Sequence, residues 1–263
     1  MCNCDRKHPA YQSPISYFIA DDFKRGTNFK CGTGCVFEPD VIVGNNVTLG
    51  HNVILKSGTR IGNDVVLGDN CCTTGVCKIG NHVRIRTGSC ISKGVVVNDW
   101  VFIGAGIMSS HTKNVSHGRP LMEPRQLVTN IGYGAVVGSR CNLMAGVQIA
   151  PGAIVGYDSN VTRTLDIPLS LWLGNPAAFV DFLKLEWRID IPDDYVPHEF
   201  DLKLLKKYLP YAEITKDQFE RWYARNCSVT VDFLLSELKG PAIPCKCGED
   251  GCLGWQMTEI MEE

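Results

Sequence analysis

The sequence predicts an all-β solenoid, a parallel β-helix with short strands and tight corners. Residues 31–108 divide into 13 consecutive hexads without a gap, and in ten of them the first residue is Val, Leu or Ile. A short period held over this length is typical of solenoid proteins. The second residue of a hexad is often glycine, and the fifth is small or β-branched. That composition favours extended backbone and tight turns.

One apolar residue in six is too sparse for an amphipathic α-helix. We therefore expect each hexad to form one strand and one corner, and three hexads to close a triangular coil. The first residue of a hexad then points inward and stacks on the residue 18 positions later. Two such columns are predicted: Ile61–Ile79–Val97 and Leu67–Ile85–Ile103.

The segments that flank the repeat are assigned from their own patterns. Residues 1–30 are expected to be an N-terminal cap, with a short helix over residues 13–23 that covers the open end of the coil. Residues 31–180 form the β-helical domain, in which the repeat resumes at Ile131. Residues 181–263 are predicted to be an α-helical region with a cysteine-containing tail. Its helices are expected over residues 202–209, 215–223 and 231–238.

The repeat breaks at residues 109–130, where no hexad survives. An insertion of this length in a compact domain is usually functional or disordered. It contains His111 and His117, two of the six histidines of the chain. We therefore interpret it as a functional loop.

Composition narrows the class of protein. The 263 residues carry a formal charge of −2, which gives no electrostatic support for a nucleic-acid partner. No run of 18 apolar residues exists, and the N-terminus lacks the apolar segment of a signal peptide. We expect a cytoplasmic protein without a membrane partner. Four of the 13 cysteines occupy repeat positions and are expected to be buried, reduced thiols: Cys35, Cys71, Cys77 and Cys141.

The repeat resembles that of the hexapeptide-repeat acyltransferases, which have a left-handed parallel β-helix. Three tracts strengthen this resemblance. Residues 131–141 look like the family's coil after the active-site loop, residues 161–168 look like its Thr-Lys-Asp-Ile-Pro stretch, and residues 173–177 contain Gly-Asn-Pro-Ala. The resemblance covers about residues 31–180 and is nearest to galactoside, maltose and polysaccharide acetyltransferases.

This resemblance implies an acetyl-CoA-dependent acetyltransferase that acts on an amino or hydroxyl group of a sugar or nucleotide-linked sugar. It implies that His111 is the general base, a role suited to an imidazole near its ordinary pKa; His117 is the rival candidate. It also places backbone N–H groups of Gly138 and Ser139 at the thioester or pantetheine. Thr162 and Arg163 are placed near the nucleotide end of coenzyme A.

The resemblance further implies a homotrimer with active sites between neighbouring subunits. Apolar residues expected on the outer faces of the prism include Val66, Ile107 and Val136, and such positions favour association.

A polar residue on an earlier coil is expected to complete the acceptor site. Asn81, Asn98 and Asp99 are all candidates, and the pattern does not choose among them.

A different class of function is a non-catalytic scaffold or a relative of the γ-type carbonic anhydrases. Those enzymes need three metal-binding histidines for each site, but His51 and His82 are 31 residues apart and do not stack on an 18-residue period. The tail cysteines Cys245, Cys247 and Cys252 do not have the usual zinc-finger spacing. No metal is therefore predicted.

Overall fold

The computed structural model describes residues 18–199, 202–208 and 212–213, and it confirms the predicted fold class. Short parallel strands build three sheets of eight, seven and nine strands, which we call faces A, B and C in chain order. Each coil adds one strand to each face, so the stack contains about eight coils. The turn from a face A strand to the next face B strand is called the AB corner; the BC and CA corners are named likewise.

The strands of face A are β1 (Phe18–Ile19), β4 (Val36–Phe37), β7 (Ile54–Leu55), β10 (Cys72–Thr73), β13 (Cys90–Ile91), β16 (Met108–Ser109), β21 (Asn142–Leu143) and β24 (Asn160–Val161). The strands of face B are β2 (Lys24–Arg25), β5 (Ile42–Val43), β8 (Arg60–Ile61), β11 (Lys78–Ile79), β14 (Val95–Val97), β19 (Thr129–Ile131) and β22 (Gln148–Ile149). The strands of face C are β3 (Lys30–Cys31), β6 (Thr48–Leu49), β9 (Val66–Leu67), β12 (Arg84–Ile85), β15 (Phe102–Ile103), β20 (Val136–Val137), β23 (Ile154–Val155), β25 (Ser170–Leu173) and β26 (Ala178–Phe182).

The core follows the predicted register. The first residue of every hexad from Cys31 to Ile103 is buried. Ile79 pairs with Ile61 on one side and Val97 on the other, and Ile85 pairs likewise with Leu67 and Ile103. The two predicted columns are thus confirmed.

The cysteines predicted to be buried thiols are also as expected. They are free and lie inside the coil: Cys35, Cys71, Cys77 and Cys141.

The first coil begins earlier than residue 31. Phe18–Ile19 pairs with Val36–Phe37 and Lys24–Arg25 pairs with Ile42–Val43, all in parallel. The helix expected over residues 13–23 is therefore wrong for its described part, because residues 18–19 already form a strand and residues 20–23 a turn. The apolar residues of this segment therefore belong to a coil and do not form one face of a helix.

One residue expected on the outer surface is in the core. Ile107 is 0% exposed, so its prediction as an outward residue is wrong. It is the fifth residue of its hexad, and fifth residues such as Val47 and Val65 also point inward. Val66 and Val136 are half-buried on face C.

The C-terminal end of the stack is closed by a hairpin. Strand β25 adds to β23 in parallel, and β26 returns antiparallel to β25. Trp172 is fully buried there, and its indole N–H donates to the hydroxyl of Ser170 at 2.7 Å. Covering the last coil in this way protects its apolar interior from water.

Residues 190–199 and 202–208, which we call the crossing segment, run over face B. His198 lies at the BC corner, where its backbone N–H donates to the Asn98 side-chain oxygen at 2.8 Å. The ammonium of Lys78, on the outside of face B, donates to the Glu199 carbonyl at 3.1 Å. At the AB corner the Tyr208 hydroxyl donates to Asp40 at 2.8 Å. The segment therefore covers face B and leaves faces A and C without a cover from the described chain.

The helix predicted over residues 202–209 is confirmed as α1 (Leu202–Tyr208), and a short 3₁₀ helix spans Leu185–Trp187. The helices predicted over residues 215–223 and 231–238, and the cysteine tail, lie outside the described residues. Within the described ranges, no helix has the length and apolar character needed to cross a membrane.

Replacing Ile79 by Asp should abolish soluble protein, because an unpaired carboxylate would enter a column in which Ile79 is 1% exposed. The cost of burying that charge is on the order of the whole stability of a domain. Thr48→Asp is the matched control, since Thr48 points outward from a strand of the same kind and is exposed. The measurement is soluble yield and gel-filtration profile. A soluble, compact Ile79→Asp protein would contradict the register.

Candidate active site

A hairpin interrupts the coil at one AB corner. Between β16 and β19 the chain forms β17 (Thr112–Asn114) and β18 (Arg125–Leu127), which pair antiparallel. Further along the chain, β27 (Ala212–Glu213) pairs in parallel with β18. The insertion predicted as a functional loop is thus an ordered hairpin with a third strand at its edge.

His111 lies at the base of this hairpin. Its carbonyl accepts the backbone N–H of Leu127 at 3.0 Å, and its imidazole is half-buried. His111 is two residues beyond Ser109, as Lys93 is two residues beyond Ile91, and their strands β16 and β13 are neighbours. Lys93 therefore occupies the same corner one coil below His111, about 4.8 Å along the stack.

The surroundings of His111 favour the neutral imidazole. Burial lowers the pKa of His111 below its ordinary value, and the positive charge of Lys93 lowers it further. Both effects oppose formation of the imidazolium. A neutral, half-buried imidazole can accept a proton, which is the chemistry of a general base.

His117 is placed differently. It is exposed near the tip of the hairpin, and its carbonyl accepts the guanidinium of Arg119 at 3.4 Å. A shallow cavity of about 450 Å³ lies at this tip and is lined by residues that include Ser116, Arg119 and Glu123. The backbone of His111 is thus bonded to Leu127 at the base of the hairpin, whereas His117 is exposed near its tip.

Gly138 and Ser139 lie at the CA corner. The N–H of Gly138 donates to the Val155 carbonyl at 2.7 Å, and a Cβ on Gly138 would lie 2.5 Å from the Tyr157 nitrogen. The hydroxyl of Ser139 accepts the N–H of Ala105 at 3.2 Å. These contacts are all between stacked coils, and they lie at a different corner of the protomer from His111.

Thr162 and Arg163 share the corner of His111. They follow Val161, which pairs with Leu143, which in turn pairs with Ser109. Arg163 therefore stands at the position of His111 two coils later, about 10 Å along the stack. Both side chains are exposed. The structure thus brings an exposed cation to the same corner of the prism as the candidate base.

The three candidates for the polar acceptor residue lie at the BC corner. Asn98 is 0% exposed and accepts the Tyr195 hydroxyl at 3.1 Å. Asp99 lies 2.5 Å from Nε2 of His198, and its carboxylate accepts the N–H of Asn81 at 2.6 Å. These side chains hold the crossing segment to the coil.

Sequence reasoning missed a second group of polar residues at the AB corner. Lys56 pairs with Glu38 at 2.5 Å, and both line a cavity that extends to Lys93. Glu38, Lys56 and Thr74 are spaced by 18 residues, so the column rule that aligned the aliphatic residues also aligns them. At the base of the hairpin, the side-chain oxygen of Gln126 is buried without a hydrogen-bond partner among the described residues.

The two histidines considered for a metal site lie at different corners of the coil. His51 lies at the CA corner, where its Nδ1 is 2.9 Å from the Thr33 backbone nitrogen. His82 lies at the BC corner and stacks on Trp100 with ring centroids 4.3 Å apart. Over residues 18–199 and the short described stretches beyond, no three His, Cys, Asp or Glu side chains are grouped so as to hold a metal ion.

Comparisons with known proteins give one curated relative and several solved structures. No family model matches the chain. A probable macrolide acetyltransferase from Lysinibacillus sphaericus is 35% identical over 69 residues, which are 22% of this chain and 38% of that protein. The chain therefore matches well under half the length of that relative.

Among solved structures, AntD, an N-acyltransferase from Bacillus cereus in complex with dTDP and 3-hydroxybutyryl-CoA, is 15% identical with a TM-score of 0.38, covering 62% of this chain and 84% of its own. A hexapeptide-repeat containing acetyltransferase from Vibrio cholerae is 17% identical with a TM-score of 0.34, covering 60% and 73%. PerB from Caulobacter crescentus, in complex with CoA and GDP-perosamine, is 20% identical with a TM-score of 0.23, covering 62% and 56%. The hexads and the coil that they build make this chain a hexapeptide-repeat parallel β-helix protein.

The pKa of His111 should lie below that of an ordinary imidazole, and Lys93→Met should raise it. Removing the ammonium removes one of the two causes of the shift, and burial keeps the pKa from returning fully. The measurement is a proton NMR titration of the imidazole Cε1–H, assigned by the peak that His111→Ala removes. An unchanged His111 titration in Lys93→Met would show that the Lys93 charge does not act on this ring.

Proposed function

We propose that this protein is an acetyl-CoA-dependent acetyltransferase that acts on an amino or hydroxyl group of a sugar or nucleotide-linked sugar. The observation that carries the proposal is His111, a half-buried imidazole whose pKa is lowered, at the base of a hairpin that interrupts a strict repeat. The resemblance of residues 31–180 to hexapeptide-repeat acyltransferases supports it. So does the 69-residue match to a probable macrolide acetyltransferase.

In this proposal, His111 takes the proton from the acceptor as its oxygen or nitrogen attacks the thioester carbonyl carbon. The carbonyl oxygen becomes an oxyanion that backbone N–H groups stabilise. Collapse of the tetrahedral intermediate breaks the carbon–sulfur bond and releases coenzyme A as a thiolate, which takes up a proton. No metal is needed for these steps.

Acetyl-CoA is a co-substrate in this scheme, and the AB corner that carries His111 suits one part of the coenzyme. Arg163 is an exposed cation above His111 on the same edge, and a guanidinium pairs well with phosphate. Thr162 precedes it on the same corner. Gly138 and Ser139 lie at another corner, so we propose that they contact a coenzyme held mainly by a neighbouring subunit.

Two uncovered faces support a homotrimer. Face A has an outward row of Val36, Ile54, Cys72, Cys90 and Met108, and Met108 is 51% exposed. On face C, Phe102 is 39% exposed between Arg84 and Val136. A closed ring of three uses two different surfaces of each subunit, and the crossing segment covers only the third face.

The purified chain should therefore be a C3 homotrimer. Light scattering coupled to gel filtration at micromolar concentration measures its mass. Met108→Glu should weaken assembly, because it places a charge in the apolar row of face A, whereas Lys24→Glu on face B serves as the control. A monomeric wild-type chain would contradict the trimer.

The proposed activity is tested by coenzyme A release from acetyl-CoA with a panel of nucleotide-linked amino sugars, free amino sugars and neutral sugars. His111→Ala should lower kcat by about 10²–10⁴ and leave the affinity for acetyl-CoA nearly unchanged. The loss should be larger for a hydroxyl acceptor, which stays protonated at neutral pH, than for an amine.

His117→Ala is the internal control and should reduce kcat less, because His117 is exposed on the hairpin tip. If His111→Ala kept the full kcat and the wild-type acidic limb of the pH profile, the base would be another group. If no member of the panel released coenzyme A above the hydrolysis background, the proposed activity itself would be refuted.

A further inference from the structure

A polar cavity lies at the AB corner directly below His111. Its volume is about 200 Å³, and its lining includes Lys56, Ser57, Thr74, Lys93 and Tyr208. Most small-molecule sites have volumes of about 300–1,000 Å³, so this cavity suits one part of a ligand. Lys93 stands one coil below His111, so the Lys93 end of the cavity is the end nearer to the imidazole.

The charges in the cavity do not cancel. One carboxylate oxygen of Glu38 accepts Lys56 at 2.5 Å, and the other accepts the N–H and hydroxyl of Ser57 at 3.0 and 3.2 Å. Glu38 is therefore fully engaged by its neighbours. Lys93 has no carboxylate partner among the described residues, and it supplies the net positive charge of the cavity.

Lys93 is held in position by its backbone and its stem. Its N–H donates to the Thr74 hydroxyl at 3.0 Å. Its methylene carbons lie over Gly75, where an added Cβ would come within 3.1 Å of the Lys93 Cβ. The absence of a side chain at Gly75 leaves the cavity open. Lys93 is a half-buried residue, and its ammonium without a carboxylate partner among the described residues is a site for an anion.

The outer wall of the cavity comes from the crossing segment. The ring of Tyr208 lies over Gly58, where an added Cβ would meet the ring carbons at 2.7 and 2.8 Å. Its hydroxyl donates to Asp40 at 2.8 Å. The Tyr208 ring thus lines the cavity together with Lys56, Thr74 and Lys93. An aromatic ring beside hydroxyl and ammonium groups suits a sugar that carries a negative charge.

We propose that this cavity binds a phosphate group of the acceptor sugar through Lys93, with the Thr74 hydroxyl as a further hydrogen-bond donor and Tyr208 as the wall. This inference rests on the proposed acetyl transfer for the role of the bound sugar as acceptor. The phosphate is either the monoester of a sugar phosphate or the diphosphate of a nucleotide-linked sugar. In either case it fixes the sugar on the edge of the prism that carries His111.

Binding is measured without acetyl-CoA, so that it does not depend on turnover. The full chain is titrated by calorimetry with glucose 1-phosphate, UDP-glucose and glucose. At least one of the two phosphate-bearing probes should bind about tenfold or more tightly than glucose. Preference for glucose 1-phosphate indicates a monoester, and preference for UDP-glucose indicates a diphosphate.

Lys93→Met and Lys93→Gln should weaken the preferred phosphate probe by about tenfold to a hundredfold, the range expected for a lost charge-assisted hydrogen bond. Lys93→Arg should restore most of the affinity. Lys24→Met removes the same charge from an exposed position on face B and should leave the affinity unchanged. Equal affinity in wild type and both neutral variants, or no preference over glucose, would overturn the assignment.

A kinetic arm separates this inference from the proposed function. With an accepted phosphate-bearing sugar, Lys93→Met should raise the KM for that sugar and leave the KM for acetyl-CoA unchanged. A rise in the KM for acetyl-CoA alone would place a coenzyme phosphate at Lys93 and overturn the assignment. Lys93-dependent binding of the probe without any acetyl transfer would support the anion site while refuting the acetyltransferase.

Discussion

The close stacking of backbones from coil to coil is the constraint on which the rest of the structure depends. A Cβ at Gly44 would lie 2.5 Å from the Gly62 carbonyl oxygen of the next coil. The inward columns, such as Ile61–Ile79–Val97, are spaced by the same strand pairing. The core does not tolerate an extra residue within a strand without a change of register. A corner does, because Ser109 still pairs with Leu143 and Val97 with Ile131 across the inserted hairpin. Chemical variation is therefore confined to outward side chains, corner side chains and insertions at a corner.

The AB corner carries both varied corner side chains and the inserted hairpin. Its inward column contains two polar residues, Thr73 and Ser109, in place of aliphatic ones. The Thr73 hydroxyl accepts the N–H of Lys56 at 2.9 Å, and the Ser109 hydroxyl accepts the N–H of Ser92 at 2.7 Å. These buried hydrogen bonds hold the corner backbone from inside. The corner therefore presents its outward groups from a rigid base, which is the arrangement that a binding or catalytic site requires.

The sequence was sufficient to predict the features that depend on the six-residue period. The columns, the buried thiols and the interruption at the hairpin all follow from spacing along the chain. Ile107 could also have been placed correctly, because its fifth position in the hexad is the position of Val65, which is 0% exposed. The same 18-residue spacing could also have placed Lys56 and Thr74 in one column.

Contacts between distant parts of the chain could not be predicted from the sequence. Tyr208 meets Gly58 from 150 residues away, and His198 meets Asp99 from 99 residues away. The helical pattern of residues 202–208 predicted an element, but an amphipathic stripe does not name the surface that it covers. A polar pair such as Asn98 and Asp99 gives the same local signal whether it binds a ligand or a segment of its own chain.

For Asp99, the residues that it contacts decide between these two roles, and His198 is the main one. Burial raises the pKa of Asp99, but the hydrogen bonds from His198 and Asn81 outweigh burial and hold it below its ordinary value. Since the folded pKa is depressed, the carboxylate stabilises the fold above its unfolded pKa, and this contribution is lost as the pH falls through the folded pKa.

The Asp99 carboxylate is therefore ionised under neutral conditions, and its contact with His198 anchors the start of the crossing segment. The other end of that segment forms the wall of the cavity through Tyr208. Beyond it, β27 pairs with β18, the second strand of the hairpin that begins at His111. A corner far from His111 thus determines where the wall of its neighbouring cavity stands, because one continuous segment of chain joins the two.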